Sequence, residues 1–443
     1  MPLPELIEIV PPAQPTLAEI AVPGSKSITN RALILAALGH GTTTLRGALW
    51  SEDTQVMVEC LHALGFQVSV TPDASEFCNR TIVVAGLGGR IPRSGTQEQP
   101  LDLFVGNAGT AARFLAAMVC LGKGVYRLHG VPRMHERPQA SLFTALRELG
   151  YRIDSSNDRL PAVIHATGPA VPPRPCRVSV SESSQFASAI ILSGRVGGWS
   201  IAELQGTGDA EELPYVAMTE RLVEDFQPQT GSFQIEADSS SGSYFQGADW
   251  ILRQNQPPGS SVRVANWPDS VLQIDSQFGS FLRRLDDASN SRTKEITVSR
   301  RDELGDSIMT AIVLAPLAPC PMKFVHLGRL RVQESDRVLA LHDELTKCGA
   351  MVELADGNET LLVKPGARLH GAEIETYNDH RLAMCFAILG LIVPGIRIKN
   401  PACVKKTFPN FFQKLATLPP AGLGVRILDA SSRCLTGAEL FAD

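Results

Sequence analysis

The stretch VPGSKSITNRALILAALG, Val22–Gly39, places a lysine between two serines, and then an arginine, directly before an apolar run. Residues 32–38 have the composition of a helix, and serine or threonine ahead of a helix is a favoured N-cap. Helix N-termini attract anions through free N–H groups and the helix dipole. Lys26 adds a point charge, and Arg31 adds a planar fork suited to a carboxylate. The stretch predicts either an anion site at a helix start or a capped helix with solvated basic residues.

Length and composition are typical of an ordinary soluble protein of enzyme size. The chain has 443 residues, of which 44% are hydrophobic and 20% charged, and this length favours two domains. The net charge of −5 argues against a nucleic-acid partner. No long apolar run indicates a membrane span, and residues 1–12 lack the features of a signal peptide. The nine cysteines form no CxxC pair, which is typical of a reducing compartment, the cytoplasm.

A recurring pattern predicts a mixed α/β fold. Helical spacing that stops at a glycine and turns into a β-type segment occurs at residues 61–68, 146–153 and 345–352. Short β-rich runs lie between the helical runs, for example at residues 42–46 and 81–85. The repeats are too far apart and too irregular for a solenoid. The pattern therefore predicts a handful of similar α/β units.

Small polar residues, ADSSSG at 237–242, indicate a domain boundary, and a new helical run follows them. The other candidate boundary lies just before the opening motif. We therefore expect a discontinuous domain 1, residues 1–22 and 244–443, with domain 2, residues 23–243, inserted into it. Residues 416–443 lack clear periodicity and are expected to form a loosely attached tail of domain 1.

Polar or cationic residues in front of an apolar run recur along the chain. They occur in GNAGTAAR (106–113), RMHERP (133–138), SSQ (183–185), RLRVQESDR (329–337), NDHR (378–381) and KKTFP (405–409). Each stretch alone is explained equally well by a solvated face or by tight helix packing. If these helix starts converge, they concentrate positive potential far beyond what the net charge suggests.

Two carboxylates are candidates for proton transfer. Asp306 lies in LGDS, ahead of the apolar run 308–317, and Glu334 lies among arginines. A carboxylate near cations stays ionised and can act as a base, and Lys26 can exchange protons if its pKa is lowered. Asp306 is explained equally well as an N-cap. The dispersed histidines and the lack of HExxH, GxGxxG and P-loop motifs favour neither a metal nor a nucleotide cofactor.

Taken together, these stretches resemble the enolpyruvyl transferase family, most of all its 5-enolpyruvylshikimate-3-phosphate (EPSP) synthase members. Nine motifs follow the family's order between about residues 20 and 415. They are PGSKSITNRALILAAL, GNAGTAARFLAA, RMHERP, SSQF, DSSSGSYF, LGDSIMT, RVQESDR, YNDHRLAMCFA and CVKKTFPNF. The resemblance implies a two-domain inverse α/β barrel of six βαβαββ units, three in each domain, with the active site in the interdomain cleft.

The resemblance also implies an activity. The family's reaction transfers the enolpyruvyl group from phosphoenolpyruvate (PEP) to the 5-hydroxyl of shikimate 3-phosphate and releases phosphate, in the shikimate pathway of aromatic amino acid biosynthesis. The implied partners are these two small molecules, with no cofactor, metal, nucleic acid or membrane, and the implied state is a monomer. Gly109 matches the position where the inhibitor glyphosate competes with PEP, whereas Phe114 replaces a common proline.

Site residues follow by matching each motif to the family. Those implied for PEP are Lys26, Gly109, Arg137, Gln185, Arg337, Arg381 and Lys406. Those implied for shikimate 3-phosphate are Lys26, Ser27, Arg31, Ser183, Ser184, Gln185, Glu212, Tyr215, Asp306, Arg329 and Gln333. In the implied chemistry Asp306 accepts the proton of the attacking hydroxyl. Glu334, with Lys26, delivers a proton to the PEP methylene.

Three of these residues depart from the family pattern around the acceptor phosphate. Glu212 stands where a serine is usual, Gln333 where a lysine is usual, and Arg329 where an asparagine is usual. Either Arg329 replaces the missing lysine and pairs with Glu212, or the acceptor is a related cyclitol without the 3-phosphate. An unpaired carboxylate against a phosphate is unfavourable in a site of low dielectric. We favour the first interpretation, because the other site positions are retained.

Two rival functions remain at this point. The related transferase that acts on UDP-N-acetylglucosamine carries a reactive cysteine on the loop matching residues 133–138, where this chain has His135 and no cysteine. A catalytically dead binding protein on the same fold is the other rival. The retained Lys26, Asp306 and Glu334 argue against it.

Overall fold

The computed structural model describes residues 3–206, 213–226, 231–255, 259–291 and 293–442. The chain divides into two compact units. The first unit contains Met1–Pro23 and Ala237–Asp443, and the second contains Gly24–Glu236.

Strands and helices alternate along most of the chain. The strands are β1 (Leu6–Val10), β2 (Leu17–Ile20), β3 (His40–Leu49), β4 (Val68–Pro72), β5 (Asn79–Leu87), β6 (Leu101–Phe104), β7 (Lys123–His129), β8 (Arg152–Asp154), β9 (Ala162–Thr167), β10 (Arg174–Ser179), β11 (Trp199–Gln205), β12 (Gly231–Gln234), β13 (Ser261–Val264), β14 (Ile296–Ser299), β15 (Met322–Val325), β16 (Met351–Ala355), β17 (Thr360–Lys364), β18 (Glu373–Ile374), β19 (Ile396–Lys399) and β20 (Arg426–Asp429).

The helices carry most of the residues of interest at their beginnings. They are α1 (Lys26–Leu38), α2 (Glu52–Ala63), α3 (Gly109–Val119), α4 (Pro132–Glu136), α5 (Ala140–Glu148), α6 (Ser184–Gly197), α7 (Leu213–Asp225), α8 (Ser239–Asn255), α9 (Phe278–Ser289), α10 (Ile308–Leu314), α11 (Arg337–Lys347), α12 (His380–Leu389) and α13 (Phe411–Ala416). Short helical turns lie at Ile274–Gln277, Arg300–Leu304, Gly305–Ser307, Ala315–Leu317, Gly328–Val332, Asp356–Asn358, Pro401–Lys406 and Gly437–Leu440.

The described strands form six sheets, three in each unit. The second unit has the orders β12-β3-β5-β4, β6-β7-β9-β8 and β10-β11, and the first has β18-β19-β1-β20, β14-β15-β17-β16 and β13-β2. Each four-stranded sheet combines one parallel pair with two antiparallel pairs. Residues 101–167 and 296–364 run in βαβαββ order, apart from the short α4. The mixed α/β architecture predicted from the sequence is confirmed.

Two helices that carry predicted site residues in their first turn are buried almost all round. Every residue of α3 is buried, and so is every residue of α12 except Arg381. A helix that is apolar on all sides belongs in the interior of its unit, where its first turn is held in place by packing. None of the helices in the described ranges has both the length and the hydropathy required to cross a bilayer.

The boundary between the units differs from the predicted one. It lies at Glu236/Ala237 rather than at 243/244, and the earlier crossing lies at Pro23/Gly24 rather than at 22/23. ADSSSG follows the boundary directly and starts a helix, because Asp238 accepts the N–H of Ser241 at 2.6 Å and α8 begins at Ser239. The sequence already indicates that a helix begins here, since an aspartate ahead of serines is a good N-cap.

The two crossings run beside each other. The N–H of Ser25 donates to the carbonyl of Glu236 at 2.8 Å, and the N–H of Asp238 donates to the carbonyl of Pro23 at 2.9 Å. Within each unit, therefore, the chain leaves and returns at neighbouring points.

The expectation of a loosely attached C-terminal tail is wrong. β20 pairs with β1 in antiparallel register, with Ile427 opposite Ile9. Leu435 and Leu440 are buried in the core of the first unit. A single edge strand of four residues is too short to show a period, which is why the pattern of residues 416–443 gave no sign of this packing.

We predict that replacing Leu389 by alanine destabilises the first unit. Leu389 is fully buried at the end of α12, and a buried leucine-to-alanine change removes about 2–5 kcal/mol by loss of burial and by creating a cavity. The measurement is the free energy of unfolding in denaturant. Leu418 is 75% exposed, so Leu418→Ala is the matched control, with an expected change below about 0.5 kcal/mol. Equal effects of the two variants would contradict the assigned core.

Candidate active site

The residues singled out in the sequence fall into two sets, one in each unit. The first unit contains Asp306, Arg329, Gln333, Glu334, Arg337, Arg381 and Lys406. The second contains Lys26, Ser27, Arg31, Gly109, Arg137, Ser183, Ser184, Gln185 and Tyr215. Glu212 lies outside the residues that the structure describes. Each set is described by itself.

Asp306 sits on the turn Gly305–Ser307, directly before α10, and is held by cations. Its Oδ1 accepts from Nη2 of Arg300 at 3.0 Å, and its Oδ2 lies 3.0 Å from Nη2 of Arg381. Nη1 of Arg337 is 4.0 Å from Oδ1. Burial opposes the charge, but the three arginines outweigh it and hold the pKa of Asp306 well below its ordinary value. Asp306 is thus a carboxylate at neutral pH, and 16% of its side chain remains exposed.

A buried ion pair anchors the first-unit set. Nε of Arg337 donates to Oδ2 of Asp379 at 2.7 Å and its Nη2 donates to Oδ1 at 3.3 Å. Asp379 also accepts the backbone N–H of Arg381 at 3.0 Å, as the N-cap of α12. Burial alone would lower the pKa of Arg337, but Asp379, Glu334 and Asp306 raise it above its ordinary value. Arg337 is therefore charged and fixed in one orientation.

Glu334 lies between two cations. Its Oε2 accepts from Nη2 of Arg337 at 2.8 Å, and its Oε1 accepts from Nζ of Lys406 at 2.7 Å. Gln333 is joined to the same arginine, since its Oε1 accepts from Nη1 of Arg337. The structure thus connects Asp306, Gln333, Glu334, Arg337 and Lys406 through one guanidinium. Arg329 lies half-buried on the turn Gly328–Val332.

Arg381 completes the first-unit set. Besides Asp306 it donates to Oγ of Ser240 and, at 3.4 Å, to the hydroxyl of Tyr244, both on α8. The preceding His380 is buried, and burial followed by the charge of Arg381 lowers its pKa well below the ordinary value. His380 is therefore neutral and leaves the positive charge at this helix start to Arg381.

In the second unit, Lys26 is the first residue of α1 and faces an acid. Its Nζ lies 3.3 Å from Oδ2 of Asp53, whose side chain is almost fully buried. Asp53 belongs to the first turn of α2, beside the capping box of Ser51 and Thr54. The lysine is thus an ion-paired group at a helix start.

Gly109, Arg137 and Gln185 come together at the beginnings of α3 and α6. Nη1 of Arg137 donates to the carbonyl of Asn107 at 3.1 Å, and Nε2 of Gln185 donates to Oγ1 of Thr110 at 3.4 Å. A Cβ on Gly109 would lie 2.7 Å from Nη2 of Arg137. The absence of a side chain at Gly109 is therefore what lets this guanidinium reach the start of α3.

Arg31 is buried in a set of polar contacts. Its Nε donates to Oγ1 of Thr219 at 2.7 Å, its Nη1 to the carbonyl of Ser27 at 2.9 Å, and its Nη2 to the carbonyl of Tyr215 at 3.3 Å. The guanidinium lies over the ring of Phe114, 5.3 Å from the centroid. The phenylalanine that departs from the family pattern thus packs against a predicted acceptor residue.

The polar stretch at 183–185 is the start of α6. Oγ of Ser183 accepts the N–H of Gln185 at 3.2 Å as the N-cap, and Ser184 is buried as the first helical residue. The two arginines of RMHERP have different partners. Arg133 pairs with Glu136 at 2.6 Å on the surface, whereas Arg137 donates to the carbonyl of Asn107.

Sequence reasoning missed two partners of the predicted residues, Arg300 and Asp53. Arg300 stands in RRDE, a charge run that by pattern indicates a solvated face, yet it is buried against Asp306. By its position, Asp53 is typical of the acidic residues found in the first turn of many helices. Nothing local separates either residue from surface charge, because their partners are distant in the chain.

Within the described ranges, no three His, Cys, Asp or Glu side chains are grouped as ligands for a metal ion.

Comparison with known proteins identifies the family. A profile described as EPSP synthase (3-phosphoshikimate 1-carboxyvinyltransferase) matches residues 10–230 and 223–415. The chain belongs to the EPSP synthase family. The resemblance seen in the nine motifs is thereby confirmed, and the expectation of a transferase is confirmed with it.

Relatives in the EPSP synthase family match over nearly their full length. The 3-phosphoshikimate 1-carboxyvinyltransferase of Nostoc punctiforme is 34% identical over 441 residues, covering 93% of this chain and 98% of that protein. That of Opitutus terrae is 36% identical over 452 residues, covering 94% and 98%.

Solved structures share the fold of this EPSP synthase family member. An EPSP synthase from Acinetobacter baumannii has a TM-score of 0.72 at 20% identity and covers 96% of this chain and 100% of its own. The enolpyruvyl transferase NikO from Streptomyces tendae has a TM-score of 0.67 at 15% identity, covering 98% and 100%. At these identities the likeness shows the fold alone.

We predict that Arg337→Met destabilises the first unit by about 3–5 kcal/mol, because it leaves the carboxylate of Asp379 buried without its main cation. The measurement is again the free energy of unfolding in denaturant. Arg397 is half-exposed and lies 3.6 Å from Glu373, so Arg397→Met is the matched control, with an expected loss of about 1 kcal/mol or less. A similar loss of stability in both variants would show that the buried ion pair stabilises the fold no more than an exposed one.

Proposed function

We propose that this chain transfers the enolpyruvyl group of PEP to the 5-hydroxyl of shikimate 3-phosphate and releases phosphate. One observation carries the proposal: arginines and a lysine surround two carboxylates, Asp306 and Glu334, that are connected through Arg337. Such a set can bind a small polyanion and move protons beside it. Membership of the EPSP synthase family supports the choice of reaction.

PEP carries a carboxylate and a phosphate, and both suit guanidinium forks and ammonium groups. In the first unit we assign PEP binding to Arg337, Arg381 and Lys406. In the second unit we assign it to Lys26, Gly109, Arg137 and Gln185. The missing side chain of Gly109 supports this assignment, because the guanidinium of Arg137 occupies the space that a Cβ would take.

Asp306 is the proposed base for the attacking hydroxyl. Its pKa is held low by Arg381, Arg300 and Arg337, so it is ready to accept a proton but binds one weakly. Negative charges of PEP at Arg381 and Arg337 reduce the positive potential on Asp306 and increase its affinity for a proton. Binding of the anionic substrate therefore strengthens the base when the hydroxyl is to be deprotonated.

Glu334, with Lys26, is the proposed acid. It delivers a proton to the methylene carbon of PEP, which becomes a methyl group and leaves the adjacent carbon electrophilic. The acceptor oxygen bonds to that carbon as Asp306 takes its proton, and a tetrahedral adduct forms. Loss of a methyl proton back to Glu334 restores the double bond as the C–O bond to phosphate breaks. The proton on Asp306 leaves with the phosphate, so Asp306 returns to the carboxylate and Glu334 to the protonated acid with which each began.

Shikimate 3-phosphate is the proposed acceptor, with its carboxylate bound by Arg31. The other acceptor residues we propose are Lys26, Ser27, Ser183, Ser184, Gln185, Tyr215 and Asp306. For the 3-phosphate we propose Arg329 as the main cation, with Gln333 nearby. The contact of Gln333 with Arg337 connects this proposed phosphate residue to a proposed PEP-binding arginine. Glu212, the expected partner of Arg329, lies outside the described residues.

We propose further that the chain works as a monomer in the cytoplasm. The nine cysteines support a reducing compartment, since all are free thiols and eight are buried.

The proposed acceptor predicts phosphate release from PEP with shikimate 3-phosphate and not with shikimate. Arg329→Gln should raise KM for shikimate 3-phosphate roughly tenfold, as expected for one lost charge-assisted contact, and leave KM for PEP within about twofold. Initial rates of phosphate release measure both constants. A preference for shikimate or another unphosphorylated cyclitol would replace the proposed acceptor, and an unchanged KM for shikimate 3-phosphate would remove Arg329 from the phosphate site.

The proposed proton transfers predict that Asp306→Asn and Lys26→Met each lower kcat by about 10²–10⁴-fold, the range for loss of a general acid or base. Steady-state kinetics under saturating substrates measure the loss. Asp249→Asn and Lys123→Met make the same chemical changes at residues with no assigned role, and wild-type rates are expected for both. A rate near that of wild type for Asp306→Asn would exclude Asp306 as the base.

A further inference from the structure

Asp275 is a buried carboxyl beside the Asp306 turn that the mechanism above does not use. It lies on the turn Ile274–Gln277 and is 5% exposed. Its Oδ1 accepts the backbone N–H of Ser307 at 2.6 Å. Because Ser307 directly follows Asp306, this bond fixes one side of the turn that carries the carboxylate.

The other side of the turn rests on the same carboxyl. Gly305 has a φ of +51°, which residues with a side chain rarely adopt. A Cβ at this position would lie 3.0 and 3.1 Å from the two oxygens of Asp275 and 2.6 Å from Cγ2 of Ile274. The turn can therefore lie directly on Asp275 only because residue 305 is glycine.

Asp275 is itself held in place through α8. The preceding Gln273 accepts the N–H of Ser239 at 3.0 Å and donates to the carbonyl of Ala237 at 2.9 Å. Ser240, the next residue of α8, accepts from Arg381. Asp275 thus belongs to a bonded framework that reaches both cationic and acidic groups of the first-unit set.

Two charged groups of the first-unit set, Asp306 and Arg381, act on Asp275. Burial, and then the negative charge of Asp306, raise the pKa of Asp275 to about 7, against the opposing effects of the Ser307 N–H and of Arg381. Since Asp306 itself is held ionised, the proton that binds to this pair near neutral pH resides on Asp275. Below about pH 7, therefore, Asp275 is mostly protonated while Asp306 is ionised.

We infer that Asp275 is a positioning residue for Asp306. It holds the Asp306 turn through Ser307, and its own negative charge, when present, increases the attraction of Asp306 for a proton. The inference rests on the proposed function, in which Asp306 is the base. It predicts that the reaction is faster when Asp275 is ionised.

Asp275→Asn tests this in the full-length protein, because an asparagine keeps an oxygen for the Ser307 N–H and loses the charge. The wild-type kcat should rise as pH increases through about 7, and the variant should lack that rise. At pH 8 we expect its kcat to be roughly tenfold lower, as a weaker base implies, with KM for PEP within about twofold. Asp249 also accepts a backbone N–H, from Val262 at 2.7 Å, and Asp249→Asn should keep the wild-type profile. A wild-type profile for Asp275→Asn would overturn the inference.

Thermal stability gives a readout that does not depend on turnover. When folding raises the pKa of a carboxyl, the folded state loses stability as pH rises above the pKa of that carboxyl in the unfolded chain. The loss is complete once pH exceeds its pKa in the folded protein. The Tm of Asp275→Asn relative to wild type should therefore increase between about pH 4 and pH 7 and be constant above that range. A Tm difference that does not change with pH would contradict the raised pKa of Asp275, on which the predicted pH profile of kcat depends.

Asp306→Asn provides the reciprocal variant should Asp275→Asn fail to fold. Removing the charge of Asp306 lowers the pKa of Asp275, so the Tm of Asp306→Asn relative to wild type should increase between about pH 5 and 7, and a Tm difference that is constant over this range overturns the inference. If wild type does not turn over PEP with shikimate 3-phosphate, the proposed function fails and the catalytic part of this inference fails with it. A pH-dependent Tm difference for Asp306→Asn would then show that the carboxyls are coupled without serving this reaction.

Discussion

Asp379 combines two tasks that make the first-unit site possible. Its carboxylate caps α12 by accepting the N–H of Arg381, and it pairs with Arg337 in a region closed to solvent. A buried charge without a partner is strongly unfavourable, so neither Arg337 nor Asp379 can turn away. Arg337 in turn orients Glu334 and Gln333, and the same helix start directs Arg381 toward Asp306. The positions of both proposed proton-transfer groups therefore depend on one ion pair.

Helix beginnings are the recurring means by which both units place polar groups. In the second unit α1, α3 and α6 begin at Lys26, Gly109 and Ser184, and in the first unit α11 begins at Arg337. The free N–H groups and the dipole of a helix start favour anions. Because the buried helices fix these first turns, the chain can present several cations in defined places while its net charge remains negative.

The sequence predicted which stretches contain the candidate site residues better than it predicted where their side chains lie. The apolar runs located the helices, but α1 begins at Lys26 rather than after Arg31, so the motif residues form the first turn instead of preceding the helix. Local pattern carries no information on partners distant in the chain, and this is why Arg300 and Asp53 were missed. Asp275 was missed for a further reason: its state is set by burial and by a neighbouring charge, which only the folded chain provides. The C-terminal strand was not predicted because it is too short to show a period and because it pairs with a strand distant in the chain.

The pairing of β1 with β19 and β20 determines the order in which the chain can be completed. During synthesis β1 emerges early, yet Ile7 lies opposite Ile398 and Asp429, which leave the ribosome much later. The inserted unit ends at residue 236 and can fold while the remainder is still being made. Once the inserted unit has folded, the hydrogen bond between Ser25 and Glu236 holds its first and last residues together. The two segments of the first unit that flank it are then as close as if a short loop connected them. The entropic penalty of closing the first unit is then that of a much shorter chain.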